Sequence, residues 1–270
     1  DKAELYQNMA KLDAHVHIRT NDPSVMEFAR DQGFSLLTIN TRSESQAYID
    51  EQRTYALRMK ELYPDDLNWL ATFSMEGFEE PGWAEEVVQK LGEDLDQGAV
   101  GFKIWKDIGM TFRDSLGSFV FLDDPLFEPI LKFMESSGFT LLTHIGEPRN
   151  CWLPIDSMTV NNDKSYFREH PQYHMYLHPE YPSHERLMES RDRVLARHPG
   201  LRMVGAHLGS LEWDVDVLAE RLERYPNFAV DMAARVCHFQ VQDREKVRDF
   251  ILSYQDRLLY ATDMSVSETA

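Results

Sequence analysis

The chain has 270 residues, of which 43% are hydrophobic and 27% charged, and its 46 acidic against 28 basic residues give a formal net charge of −18. This composition is typical of a globular protein and excludes wholesale disorder. The negative charge would repel a phosphate backbone or an anionic membrane surface, so we expect no nucleic-acid partner. Nor do we expect a membrane span, because the sequence contains no run of about 18 apolar residues.

The two cysteines, Cys151 and Cys237, fit neither a disulfide framework nor a CxxC motif, so we expect two free thiols. The chain begins at Asp1 without Met and shows no signal-peptide pattern. Because an upstream segment can have been removed, the sequence leaves the compartment open, with the cytoplasm as the default expectation.

Strand and helix signals alternate along the chain. The first strand, 12–18, places Leu12, Ala14, Val16 and Ile18 on one face and polar residues on the other. Later helices are marked by Pro near their start and by Gly or Pro near their end. The further predicted strands are 34–40, 67–74, 99–105, 139–145, 201–207, 228–232 and 257–263, and the predicted helices are 22–32, 43–62, 83–95, 125–136, 184–197, 211–224 and 243–254.

Eight strands, each of the first seven followed by a helix, predict a single-domain α/β fold over residues 1–270, a (β/α)8 TIM-like barrel. A doubly wound open sheet is the competing fold, and it fits less well because the first turn is not rich in glycine. The eighth helix is expected to be absent, since seven residues follow Asp263, unless another element covers the last strand. The long segment 146–183 between the fifth strand and its helix is predicted to form a lid-like insertion.

Polar residues recur at the carboxyl ends of the predicted strands. They are His15 and His17 on the first strand, Lys103 on the fourth, His144 on the fifth, His207 on the sixth and Asp263 on the eighth. In a barrel these ends meet at one face, where such barrels build their active sites. The imidazoles of His15 and His17 project from the same side of their strand, so they can share one metal ion.

Taken singly, each of these residues also has a structural explanation. The histidine pair fits the solvated face of an edge strand, and His144 or His207 fits a hydrogen-bonded core histidine. Asp263 fits a helix cap, and Lys103 fits a side chain that extends to the rim. Their collection at one end of five strands favours a metal site instead.

In their order along the chain, these motifs resemble those of the amidohydrolase superfamily. They are His15-Val16-His17, Gly101-Phe102-Lys103, Thr143-His144, Ala206-His207-Leu208-Gly209 and Ala261-Thr262-Asp263. The resemblance spans nearly the whole chain and is closest to the amidohydrolase 2 branch, which holds hydrolases, lactonases and the decarboxylase of aminocarboxymuconate semialdehyde. The motif order is specific to the superfamily but not to a substrate.

The resemblance implies a ligand set for one divalent metal, with zinc expected and manganese as the alternative. His15, His17, His144 and Asp263 would hold the ion, and His207 would orient or deprotonate the attacking water. In other branches a carboxylated lysine on the fourth strand bridges two metals, and Lys103 occupies that strand. In the amidohydrolase 2 branch this lysine is usually a charge partner for the substrate, so a second metal is not favoured.

These residue types suit hydrolytic chemistry. A metal held by neutral imidazoles and one carboxylate stays Lewis-acidic and brings water to a pKa of about 7. Asp263 can accept the water's proton and pass it to the leaving group, while His207 polarises the carbonyl. Arg235, which follows the seventh strand, is expected to bind a substrate carboxylate, with a surface ion pair as the alternative.

The sequence therefore predicts a metal-dependent hydrolase that acts on a small amide, ester or lactone, with a carboxylate as a further substrate group. The alternatives are a nonoxidative decarboxylase of an aromatic or muconate-like acid on the same site, and a binding barrel without turnover. The expected partner is a small-molecule substrate, and a homodimer is expected only because such assemblies are common.

Overall fold

Parallel strands form the centre of the molecule in a computed structural model that describes residues 2–267. The strands are β1 Lys11–Arg19, β2 Phe34–Ile39, β3 Leu67–Leu70, β4 Gly101–Ile104, β5 Thr140–Thr143, β6 Met203–Gly205, β7 Phe228–Asp231, β8 Leu258–Leu259 and β9 Met264–Ser267. They lie in two parallel sheets with the orders β3-β2-β1-β9 and β4-β5-β6-β7-β8.

Backbone hydrogen bonds join the two sheets at both of their seams. These bonds run from Val100 N–H to Trp69 O (3.0 Å), Lys103 N–H to Ala71 O (2.7 Å), Ala14 N–H to Tyr260 O (3.1 Å) and Asp263 N–H to His15 O (2.9 Å). The eighth barrel strand thus consists of β8 and β9, which are separated by a break at Asp263, where φ is 64°. The sheet closes on itself, and the predicted (β/α)8 barrel is confirmed.

The helices surround this barrel close to their predicted positions. They are α1 Lys2–Asn8, α2 Ser24–Asp31, α3 Gln46–Leu62, α4 Trp83–Asp96, α5 Glu128–Ser137, α6 Asn161–Glu169, α7 His184–Arg197, α8 Val215–Arg224 and α9 Arg244–Tyr254. Side-chain caps explain several helix starts: the Ser45 hydroxyl accepts the Tyr48 N–H at the start of α3 (3.2 Å). None of the helices within the described range has the length and apolar character that a bilayer span requires.

The two faces of β1 show how the fold positions polar groups. Val16 and Ile18 point outward and pack in an apolar cluster with Met26 of α2 and Met59 of α3. His15 and His17 alternate with them and therefore point into the barrel. Below the histidines the interior is filled by Ile39, Leu70, Leu142, Val204 and Ala206, so the barrel is a packed core with its polar groups at one end.

The segment 146–183 is more ordered than the sequence indicates. It contains α6 and four short 3-10 segments, which are Arg149–Trp152, Ile155–Ser157, Pro171–Tyr173 and Met175–Leu177. A small apolar core formed by Cys151, Met158, Phe167 and Met175 holds it together. Cys151 and Cys237 are both free thiols.

The expected absence of an eighth helix concerns the chain after β9, which lies outside the described residues. The outer face of the eighth strand carries exposed apolar side chains. Tyr260 is 52% exposed and Met264 is 39% exposed, and Phe28 of α2 beside them is 68% exposed. The helix α1, which the sequence analysis did not predict, precedes β1.

Candidate metal centre

Strand one and the break in strand eight bring three side chains together. The Asp263 Oδ1 atom lies 3.2 Å from His17 Nε2 and 3.5 Å from His15 Nε2. The rings of His15 and His17 meet edge to face, with centroids 5.2 Å apart. The left-handed backbone at Asp263 is therefore the feature that turns its carboxylate toward both imidazoles.

Strands five and six add two more imidazoles. The His207 ring centroid lies 5.0 Å from that of His15 and 4.3 Å from that of His144. One ligand atom each from His15, His207 and Asp263 falls within 4.8 Å of the others, a spacing at which a single ion can be held. The structure thus brings the four predicted ligands and the predicted catalytic His207 to one end of the barrel. The group with this spacing includes His207 and, of the predicted ligands, only His15 and Asp263.

Three of the imidazoles are oriented by bonds to their Nδ1 atoms. Nδ1 of His15 bonds Asp231 Oδ2 (2.8 Å), that of His17 bonds the Ile39 carbonyl (3.1 Å) and that of His207 bonds the Ala233 carbonyl (2.9 Å). An Nδ1–H that donates to a carbonyl or carboxylate leaves Nε2 as the free ligand atom. All three rings are therefore preset to present Nε2 to the centre.

Asp231, at the end of β7, is the functional residue that the sequence analysis missed. Its Oδ1 accepts the His207 N–H (2.8 Å) and the Ala233 N–H (3.0 Å), while Oδ2 bonds His15. Burial alone would raise the pKa of Asp231, but the His15 hydrogen bond and the nearby imidazoles hold it below its usual value. Its place at a strand end is the same signal that selects the other site residues.

Burial keeps the imidazoles neutral. It lowers the pKa of His15, with the Lys103 charge adding to the effect, and it lowers the pKa of His144 and His207 well below the usual value. Neutral imidazole is the form that binds metal. Burial would raise the pKa of Asp263, but its contact with His17 and its proximity to His207 and His15 hold that pKa well below its usual value, so the carboxylate is ionised.

The donor set fits a divalent ion. Among the described residues His144 Nε2 has no hydrogen-bond partner, although the side chain is buried. A buried polar atom without a partner is costly, and a metal would satisfy it. Neutral imidazoles with one carboxylate are ligands that zinc and manganese accept.

Lys103 lies deeper than a rim residue. It is 0% exposed, and its Nζ has no hydrogen-bond partner within residues 2–267. Burial lowers its pKa to about 8, against the opposing pull of the Asp231 and Asp263 carboxylates. The ammonium group is therefore close enough to Asp231 and Asp263 to interact electrostatically with both carboxylates.

Arg235 lies close to the same centre. Its charge contributes to lowering the pKa of His207, after the larger effect of burial. Its Nη1 donates to the Ala234 carbonyl (3.1 Å), and in the described part of the chain its Nε is buried without a partner and the side chain forms no salt bridge. The guanidinium is thus available to a ligand. Among the described residues, Arg235 does not form the surface ion pair that was the alternative expectation.

The fold resembles those of solved enzymes. A dihydroxybenzoic acid decarboxylase from Polaromonas, with bound manganese and the inhibitor 2-nitroresorcinol, aligns at a TM-score of 0.60 and 15% identity, covering 94% of this chain and 86% of that one. A probable 2-pyrone-4,6-dicarboxylic acid hydrolase from Acinetobacter baumannii, with bound citric acid, aligns at 0.57 and 12%, covering 94% and 84%. A 2,6-dihydroxybenzoate decarboxylase from Rhizobium aligns at 0.56 and 15%, covering 94% and 88%. At these identities the likeness establishes the barrel fold.

Sequence comparison identifies the family. No curated protein sequence matches the chain significantly. The amidohydrolase family model matches residues 77–270, a range that holds Lys103, His144, His207 and Asp263 and begins after the two histidines of β1. The chain therefore belongs to the amidohydrolase 2 family of metal-dependent enzymes.

Proposed function

We propose that this enzyme is a metal-dependent hydrolase that acts on a small amide, ester or lactone. The observation that carries the proposal is the proximity of four imidazoles and the Asp263 carboxylate at one end of the barrel. Three of these imidazoles have their Nδ1 atoms hydrogen-bonded away from the centre. His15, His17, His144 and Asp263 would hold one divalent ion, zinc first and manganese second. The ion would supply Lewis acidity for the activation of water.

The chain's own groups supply the proton transfers. Asp263 is ionised and 34% exposed in its side chain, so it can take a proton from water and deliver it to a leaving group. His207 is neutral, with its Nδ1–H donating to the Ala233 carbonyl, so its Nε2 would orient the attacking water and accept a proton from it. Lys103 and Arg235 would stabilise anionic charge on the substrate.

A nonoxidative decarboxylase on the same site is the second candidate. Its support is the pair of cations without a partner next to the centre, Lys103 Nζ and Arg235 Nε, which suit a substrate carboxylate. The decarboxylases from Rhizobium and Polaromonas share the fold. Release of carbon dioxide, as opposed to a hydrolysis product, from a panel of lactones, amides and aromatic acids separates the two reactions. Turnover of no member would favour a binding barrel.

Elemental analysis of protein purified without added metal tests the centre. We expect about one zinc or manganese per chain, and a large loss of both metal and turnover in His144→Ala and in Asp263→Asn, because each removes a ligand. His178→Ala, which removes a histidine of the insertion, is the matched control and should keep its metal. Two ions per chain would indicate a bridging Lys103. Full metal content and turnover in both site variants would refute the proposal.

A further inference from the structure

A cavity of about 460 Å³ opens beside the metal centre, between the loop after β4 and the insertion. Sites for small molecules commonly measure about 300–1,000 Å³. Its lining includes Arg42, Trp105 and Lys106 from barrel loops and Glu147, Tyr166 and Tyr173 from the insertion. The Trp105 ring meets the His144 ring edge to face with centroids 6.5 Å apart, so the cavity adjoins the centre directly.

Two cations flank the Trp105 ring. Lys106 Nζ lies 5.4 Å from the ring centroid and Arg42 Cζ lies 5.9 Å from it, both within the range of a cation–π contact. The Arg42 backbone has φ of 69°, a left-handed conformation that is uncommon for a residue other than glycine and that proteins retain mainly at functional sites. The loop after β2 thus adopts a strained backbone conformation at the residue that it places at the cavity.

The acids around the cavity do not balance both cations. Glu147 forms an ion pair with Lys106. Asp107 directs its carboxylate to backbone, accepting the Ser43 N–H (2.6 Å) and the Ile108 N–H (2.9 Å). Within residues 2–267 Arg42 forms no salt bridge, so its charge remains available to an incoming anion.

The insertion closes the cavity with aromatic side chains. Burial raises the pKa of Tyr166, with the Glu147 charge adding to the effect and that of Lys106 opposing it, so the Tyr166 hydroxyl lies within range of this ion pair. Tyr173 lines the same cavity, and its ring is stacked with that of Tyr166 at a centroid separation of 6.5 Å. The cavity thus presents aromatic rings and two cations to a planar group that carries a carboxylate.

We propose that Arg42 and Lys106 form an anion-binding subsite, distinct from Lys103 and Arg235, that holds a carboxylate of the substrate against Trp105. In the free enzyme Lys106 is paired with Glu147, and the incoming carboxylate replaces Glu147 as the partner of Lys106. The assignment rests on the proposed function in that the reacting group of the same substrate would lie at the metal centre. Anion binding at the subsite itself requires no metal.

Calorimetric titration with benzoate and with its neutral analogue benzamide tests the subsite on the metal-loaded enzyme and again after chelation and dialysis. We expect benzoate to bind about tenfold more tightly than benzamide in both forms, and Arg42→Met and Lys106→Met each to weaken benzoate binding about five- to tenfold, since each removes a charge-assisted contact. Glu147→Gln should tighten it about threefold or more, because Lys106 is then unpaired. Lys132→Met, an exposed lysine on α5, is the matched control and should bind like the wild type.

The outcomes separate this proposal from that of the metal centre. Benzoate binding that is absent after chelation, equal to that of benzamide, or unchanged in both cation variants would overturn the subsite. Protein that takes up neither zinc nor manganese on reconstitution, but binds benzoate with the expected variant pattern, would refute the metallohydrolase and leave the subsite established.

Discussion

Asp231 controls which nitrogen of His15 faces the metal centre. Its two oxygens have separate tasks, because Oδ1 accepts the N–H groups of His207 and Ala233 while Oδ2 bonds His15 Nδ1. An asparagine can keep the Oδ1 bonds but would present an amide N–H to Nδ1. His15 would then carry its proton on Nε2, and its ligand atom would be blocked.

Asp231→Asn is therefore expected to lower metal affinity about 10- to 100-fold, as loss of an orienting partner typically does, while the barrel stays folded. Competition with a chromophoric chelator measures the affinity, and circular dichroism monitors the fold. Asp216→Asn, at a side chain that is 73% exposed, controls for the change of charge. Metal affinity equal to the wild type would show that the His15 tautomer is set by another group.

The rule that placed six site residues from sequence works because parallel strands end at one face. It locates His15, His17, Lys103, His144, His207 and Asp263 without knowledge of their contacts. It does not pair them, since the bond from His15 to Asp231 joins β1 to β7 across a closed barrel. The left-handed backbone at His207 and Leu208, with φ of 59° and 57°, likewise could not be predicted from the sequence, because neither residue favours that conformation.

At the scale of elements, the helices predicted from the sequence have a capping residue or a proline at or near their start, whereas α6, which was missed, has neither at its N-cap. The predicted start of α9 coincides with a cap, where the Asp243 carboxylate accepts the Lys246 N–H (2.9 Å). Val160 precedes α6 and offers no side-chain cap. The insertion consequently reads as irregular, although its apolar core orders it.

The spacing of β4 and β5 depends on a missing side chain at Gly101. A Cβ there would lie 2.5 Å from the Thr140 carbonyl oxygen and 2.9 Å from Leu70 Cδ2. Gly101→Ala should therefore destabilise the fold by about 1–3 kcal/mol, as overpacking does, in urea unfolding. Gly92→Ala, within α4, meets no atom nearer than Phe133 Cζ at 3.9 Å. We expect this control to be stabilised by about 0.5–1 kcal/mol, and equal stabilities of the two variants would contradict the packing argument.

At the scale of the whole molecule, the insertion is anchored to the barrel by buried acids. Glu212, just after the β6 turn, is 1% exposed, and its Oε1 accepts the Arg149 N–H (2.7 Å). On α6, Asp163 accepts the Asn150 amide (2.8 Å) and lies 3.5 Å from His238 Nε2. The insertion is thus docked to the barrel through buried acids, and its predicted movement as a lid would have to break these contacts.

Glu212 makes this docking pH-dependent with a definite sign. Burial raises its pKa to about 7 from an ordinary value of 4.5, with the Arg235 charge opposing. Because the folded-state pKa lies above the unfolded one, its contribution to stability is complete below pH 4.5 and is lost as the pH rises through about 7. Glu212→Gln imitates the protonated carboxyl and can still accept the Arg149 N–H. The difference in the free energy of unfolding between this variant and the wild type should therefore change by about 2–3 kcal/mol in favour of the variant from pH 5 to pH 8.

Urea unfolding of both proteins at the two pH values measures this gain, since every other group titrates equally in the two. Glu220→Gln, at a side chain that is 73% exposed, removes the same charge from the surface. Its free energy of unfolding should change with pH as that of the wild type does. If the free energy of unfolding of Glu212→Gln also changes with pH as that of the wild type does, the buried carboxyl is still neutral at pH 8 or its charge is balanced by Arg235. The insertion would then be docked independently of pH, and a pH dependence of turnover near neutrality would point to the site itself, where burial lowers the pKa of Lys103 to about 8.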